Sequence, residues 1–372
     1  MSRFVFFLLL AFSTILPMAA HAAPGARILL VVSGHGRDGG KTQPGFEFDE
    51  FAQAYAVFRD NGLAIDVASP KGGRVEADDH DRDKPYNKRL LADGAAMAML
   101  ATTRATADVK AEDYAAVFVI GGKGAMFDLP ADPALRTLLA RVHAAGGVVA
   151  AVCHGPAALV AVLRPDGTRL VAGRAVTGFT NEEEAMFGKR WAKDYPFLLE
   201  DALRAAGGLY AGAPMMLPFV RSDDRIVTGQ NPYSTALTAE AALRAMGRTP
   251  TPRTPWADER SLLLVVEALA GKADEARAAL AREPALYDMP LIGMYGVYSA
   301  KRPGIGGAAL ADSLMVMALA EPHFAHPRLQ LAMAEAERTL GRTVAARARV
   351  EKLLAQSPDM KEAKALLTAI GE

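Results

Sequence analysis

Five short apolar runs in the first two thirds of this chain alternate with helix-forming stretches, and that alternation limits the fold more than anything else. Arg27 to Ser33, Leu63 to Ala68, Ala115 to Ile120, Gly146 to Val152 and Arg225 to Gly229 are rich in Val, Ile, Leu and Ala. Each is too short for a helix and too uniformly apolar for a strand with one wet face. Strands buried on both faces read this way, and the helical periodicity between them supplies the covering layers. Those helices are expected over Phe46 to Asn61, Asn87 to Thr102, Pro133 to Ala145, Tyr195 to Ala206 and Ser234 to Met246, with Leu170 to Val176 as an excursion or hairpin. The fold class is α/β, a parallel sheet sandwiched by helices. In such sheets ligands bind beyond the carboxyl ends of the strands.

Two features fall at those ends. One is the loop Gly121-Gly122-Lys123-Gly124, and the other is Cys153, the single cysteine among 372 residues. The apolar run into Cys153 stops at Val152, and a helix-forming run starts near Pro156. A cysteine at such a corner resembles the nucleophile elbow of hydrolases, with sulfur replacing the serine hydroxyl. A helix N-terminus behind it would lower the thiol pKa; the alternative is an inert buried cysteine. A thiolate nucleophile needs donors for a developing oxyanion. Candidates for oxyanion or substrate contacts are the N–H of His154 and those of Gly122, Lys123 and Gly124 in the glycine loop. For a carboxyl partner the composition offers 42 acids and selects none.

Outside the sheet region the chain changes character twice. Arg3, the uncharged stretch Phe4 to Met18 and Ala20-His21-Ala22 read as a Sec-type signal peptide over residues 1–22, with cleavage expected after Ala22. The mature chain is then periplasmic or secreted, with no stable membrane span, the apolar stretch being short for one. One cysteine forms no intrachain disulfide, so stability rests on cores that 51% apolar residues can supply. The 42 basic residues balance the acids and form no stripe, which argues against a nucleic acid partner. The α/β domain is expected to span 23–248 and a Pro-rich extended linker 249–255. From 256 to 372 the chain is rich in Ala, Leu, Glu and Arg, with little strand signal. Within it, Leu329 to Leu366 resembles one tetratricopeptide repeat turning at Gly341, and the stretch from Gly271 to Leu280 is a fainter copy. A plain helical bundle that clamps a domain or a homodimer is the other reading. Either leaves room for a protein partner.

Several stretches together carry a family resemblance. They are Gly45-Phe-Glu-Phe-Asp-Glu50, Ala68-Ser-Pro-Lys-Gly-Gly73, Gly121 to Pro130, Val149-Ala-Ala-Val-Cys-His-Gly-Pro156, Thr177 to Glu184 and Gly229-Gln-Asn-Pro232. In this order they resemble the ThiJ/PfpI superfamily, with its glutamine amidotransferase-like fold, and within it the branch of glyoxalase III enzymes and heat-inducible holding chaperones. The match covers residues 26 to 247 and stops before the helical region. It implies a flavodoxin-like sandwich with Cys153 as nucleophile, Glu50 as its acidic partner, and His154 and Glu184 completing a Cys-His-acid set. His154 acts through its side chain or only through its backbone N–H. The implied reaction converts a 2-oxoaldehyde, in the family instance methylglyoxal, to a 2-hydroxy acid through a Cys153 hemithioacetal, with neither metal nor cofactor. Glu50, its pKa raised beside the thiolate, would move the proton between carbons. Two departures stand out, Lys123 where the family usually has histidine and Gln53-Ala54 where His-Pro is frequent.

Other readings of the same residues are a periplasmic holding chaperone, a redox sensor or partner-binding protein built on Cys153, and a cysteine peptidase. A glutamine amidotransferase is excluded, because no His-x-Glu pair follows in the required context.

Overall fold

The computed structural model describes residues 26–371; the predicted signal segment lies outside the described residues. In chain order the α/β region comprises β1 (Arg27–Val31), α1 (Phe48–Asp60), β2 (Ala64–Ser69), α2 (Pro85–Ala92), α3 (Gly94–Ala101), β3 (Arg104–Ala105), β4 (Ala116–Val119), α4 (Ala125–Asp128), α5 (Pro133–Ala144) and β5 (Val148–Val152). There follow β6 (Ala175–Val176), α6 (Asn181–Phe187), α7 (Leu199–Ala205), β7 (Leu209–Tyr210), β8 (Val220–Asp223), β9 (Ile226–Gly229) and α8 (Thr235–Ala245). Seven strands form one sheet in the order β3-β2-β1-β4-β5-β9-β8, parallel except for the β8–β9 pair, while β6 and β7 pair separately. Residues 28–31, 116–119, 148–152 and 226–227 are wholly buried, so helix-covered central strands account for the apolar runs.

Three departures from the sequence reading have local causes. The helix expected over Asn87 to Thr102 is two helices, because Asp93 caps the second by accepting from the N–H groups of Ala95 and Ala96. The excursion after Cys153 ends not in a hairpin but in β6, which pairs parallel with β7. Third, β8 is an antiparallel edge strand whose half-exposed Val-Arg-Ser-Asp sequence carries no apolar run to announce it.

The remaining chain is all helical: α9 (Ala257–Glu267), α10 (Ala273–Arg282), α11 (Met289–Ala300), α12 (Gly307–Ala320), α13 (Pro327–Thr339), α14 (Thr343–Gln356) and α15 (Lys361–Gly371). Its main core, around Leu262, Ile292, Leu314 and Met333, also takes in Met215, Met216 and Leu217 from the α/β region.

Candidate active site

The corner after β5 is strained at one residue. Cys153 has φ +58°, a conformation that side chains rarely adopt. Its N–H donates to Gly229 O at 3.0 Å and its carbonyl accepts from Phe179 N at 2.9 Å, so neighbouring segments hold the backbone on both sides. Beyond the corner the chain forms a five-residue 3-10 turn, Gly155–Leu159, and not the expected α-helix. A turn that short aligns few peptide dipoles, and the predicted lowering of the thiol pKa is not what the surroundings impose. Burial pushes the Cys153 thiol up, the negative charge of Glu50 pushes it further, and a hydrogen bond from Gly122 N–H opposes both.

Glu50 arrives from α1 and is 0% exposed, since that helix is buried along nearly its whole length against the sheet, α2 and α8. Its Oε2 accepts from Gly121 N at 2.7 Å. Its Oε1 has no hydrogen-bond partner, and the carboxyl lies close enough to the thiol for its charge to raise the thiol pKa. Burial first, then the charge of Glu47, raises this carboxyl well above the usual range. Two like-charged groups side by side do not both ionise readily, so the charge of Glu50 holds the thiol protonated to higher pH, while the thiol draws the Glu50 pKa partly back down.

Neighbouring side chains at the corner do meet. Cys153 Sγ lies 3.3 Å from His154 Nδ1, and His154 Nε2 lies 2.8 Å from Glu184 Oε2. Burial lowers the His154 pKa and Glu184 opposes it. A neutral imidazole that donates a hydrogen bond from Nε2–H to Glu184 leaves the Nδ1 lone pair facing the thiol. Glu184 is 6% exposed, so it is not one of a solvated acidic run. Thr180 starts α6 in a capping box with Glu183, and that turn aims Glu184 inward.

The glycine loop supplies part of what was expected of it. Gly122 has φ +92°, and a Cβ there would sit 2.3 Å from Glu47 N. Its N–H is directed at the sulfur. Gly124 is corrected: its N–H already donates to Gly45 O at 2.9 Å, so it closes the loop and is not an oxyanion donor. Lys123 is half-buried, and its charge acts on Glu47, Asp78 and His154.

Sequence reasoning missed four neighbours. Phe179, with ring centroid 4.4 Å from that of His154, and Tyr195, edge-on at 5.9 Å, wall off the imidazole. Glu47 is pushed up to about 7, by burial and then by Asp49, with Lys123 opposing. Asp78 accepts from Gly45 N at 2.6 Å, and burial raises it too. Glu47 and Phe179 lie inside the quoted motifs and were within reach; nothing local singles out Tyr195 or Asp78.

Together these groups form a buried cluster with a strained thiol, a neutral imidazole hydrogen-bonded to a carboxyl group, and a second carboxyl of raised pKa. Residues 42–245 match the model of the DJ-1/PfpI family. A glutathione-independent glyoxalase of Schizosaccharomyces pombe is 34% identical over 246 residues, 60% of this chain and 96% of that protein. The crystal structure of a rapid encystment protein of Francisella tularensis superposes with TM-score 0.56 at 31% identity, covering 59% of this chain and 99% of that one. That of glyoxalase III from Candida albicans gives 0.55 at 28% identity, covering 59% and 97%.

Proposed function

Because the chain belongs to the DJ-1/PfpI family, we propose from its site that it is a glutathione-independent glyoxalase, converting methylglyoxal or a related 2-oxoaldehyde to a 2-hydroxy acid. The observation that carries this reading is the set Glu50, Cys153, His154 and Glu184 arranged around one buried sulfur. As Sγ adds to the aldehyde carbon, the S–H proton passes to His154 Nδ1 and on to the aldehyde oxygen, giving a neutral hemithioacetal. The N–H of Gly122 stands beside the oxygen where charge develops. Glu50, as carboxylate, takes the proton of the thiol-bearing carbon, leaving an enediolate, and returns it to the neighbouring carbonyl carbon, while the hydroxyl proton of the first carbon passes to the oxygen of the second. The product is a thioester of the 2-hydroxy acid. Water cleaves it, releasing the acid and restoring the thiol. A carboxylate whose pKa is raised is a stronger base and suits C–H abstraction better than an exposed one.

Burial of Cys153 at 3% exposure favours a small substrate over an extended peptide, and its raised pKa disfavours a freely oxidised sensor. The helical region reads as tetratricopeptide-like. Helices pair as α11 with α12 and α13 with α14, and the turns at Gly271 and Gly341 both take positive φ. Export by the leading 22 residues belongs to the same reading; no described helix is long and apolar enough to cross a membrane.

The test is purified protein with methylglyoxal and no glutathione, followed by lactate formation. Cys153→Ala should abolish it, and Glu50→Gln should lower it by about a thousandfold. Turnover untouched by Cys153→Ala would remove the nucleophile, and no turnover of any small aldehyde by the unmodified chain would remove the reaction.

A further inference from the structure

Two acids of the site stand on helices that the helical region holds. We propose that this region is a clamp that keeps α1 and α6 against the Cys153 corner, and that Tyr298 and Arg302 are positioning residues for the Glu184–His154 pair. The proposal rests on the reading of Cys153 as the nucleophile.

Helix α6 has only seven residues. A helix of two turns does not hold itself in place, so its position is set by what it packs on. Glu184 turns toward His154. Its neighbours turn the other way. Glu183 is buried and accepts from Met216 N at 2.9 Å and Asn231 Nδ2 at 2.8 Å, and Met216, at φ +66°, is part of the helical region's core. Met186 and Phe187 pack on the same core, with the Phe187 ring edge-on to Tyr298 at 5.2 Å. Glu182 Oε1 lies 3.7 Å from Arg302 Nε. Away from the site, α6 is therefore seated on α11, the turn after it, and the Met215 to Leu217 loop that joins the helical core.

The second acid is held in a parallel way. Asp49, next to Glu50, takes Lys84 Nζ at 2.6 Å, Asn87 Nδ2 at 2.5 Å and Tyr86 Oη at 3.2 Å. The Tyr86 hydroxyl donates to Asp258 of α9 at 2.6 Å. The helical region thus packs on α6 directly and reaches α1 through Tyr86 of α2, and a displacement of α6 would lengthen the 2.8 Å contact that orients His154 beside the Cys153 sulfur.

The experiment uses the full chain with Tyr298→Ala, Tyr298→Phe and Arg302→Gln. It reads kcat and KM on methylglyoxal, the rate of Cys153 alkylation by iodoacetamide as a function of pH, and folding by circular dichroism. Misplacing catalytic groups by a fraction of an ångström should lower kcat of Tyr298→Ala by about tenfold with little change in KM. Its alkylation profile should move along the pH axis, and Tyr298→Phe, which keeps the ring edge, should restore both. Arg302→Gln should shift the same quantities in the same direction by a smaller factor. Folded Tyr298→Ala and Arg302→Gln proteins with the parent profile and kcat would overturn the clamp. If Tyr298→Ala does not fold, Arg302→Gln decides alone, since it removes a part-exposed ion pair and one hydrogen bond to Ser299 O at the end of α11. If the parent chain turns over no aldehyde, the glyoxalase reading falls while the alkylation profiles still decide the clamp.

Discussion

At Glu50 and Cys153 the buried site tolerates one negative charge and resists a second. Burial raises both groups, so the catalytic base appears only as pH rises through the elevated Glu50 pKa. The acid limb of kcat against pH should therefore lie above the ordinary carboxylate range. In Glu50→Gln the limb should vanish with a loss of about a thousandfold in kcat. The same substitution removes a charge that raises the thiol, so half-maximal alkylation of Cys153 should move to lower pH; a move to higher pH would contradict the pairing. Glu47 offers a stability test with a defined window. Its folded pKa of about 7 exceeds the unfolded 4.5, so the contribution it makes is complete below 4.5 and is lost as pH rises through 7. Glu47→Gln should gain melting temperature relative to the parent at pH 8 and not at pH 4. Cys153 was legible from its corner alone. Glu50 was not, because an acid on an amphipathic helix looks alike whether buried or wet, and only the motif register separated it from Glu47 and Asp49. Gly124 was over-read, since no pattern of letters tells whether an amide is already spoken for.

The elements that matter most to the site are short ones. A five-residue strand, a 3-10 turn and a seven-residue helix bring Cys153, His154 and Glu184 together. The strand was visible as an apolar run; α6 was visible only as three consecutive acids, whose usual meaning is a solvated helix start. Its capping box distinguishes it. Thr180 Oγ1 accepts from Glu183 N at 3.0 Å and Glu183 Oε2 accepts from Thr180 N at 3.1 Å. Thr180→Ala should cost about 1 kcal/mol in denaturant unfolding. Because the cap also fixes the rotation of Glu184, its loss should lower kcat by a larger factor than it changes KM; full activity with the stability loss would show that the cap supports the fold and not the site. The split at Asp93 and the edge strand β8 escaped the sequence for the opposite reason. One is a single Asp93-Gly94 step between two helix-forming stretches, and the other is a strand with no apolar face to betray it.

Across the whole molecule, the Pro-rich stretch 249–255 looks in sequence like a tether between independent halves. In the structure it is extended but pinned. Thr251 N donates to Asn61 Oδ1 at 2.7 Å, and Arg253 stacks on Trp256 while joining Glu240 of α8 to Glu259 of α9. The Arg253 guanidinium makes two bonds to Glu259, at 2.7 and 2.6 Å, and Glu259 is 3% exposed. A bidentate pair at a buried carboxylate fixes direction as well as distance. With Met215 to Leu217 inserted into the helical core and Tyr86 bonded to Asp258, the two regions share enough interface to unfold as one. Calorimetry of the full chain should then show a single transition. Arg253→Ala strands the buried Glu259 charge, a loss on the order of 3 kcal/mol placed on the tie itself. Its thermogram should split, with the helical region melting first. Two transitions in the parent chain would mean that the halves are independent, and a single unshifted transition in the variant would place the coupling elsewhere on the interface. The split matters for catalysis because α6 and α1 lie on that interface. In Arg253→Ala, activity on methylglyoxal should fall with the lower of the two transitions, while the sheet and the Cys153 corner are still folded.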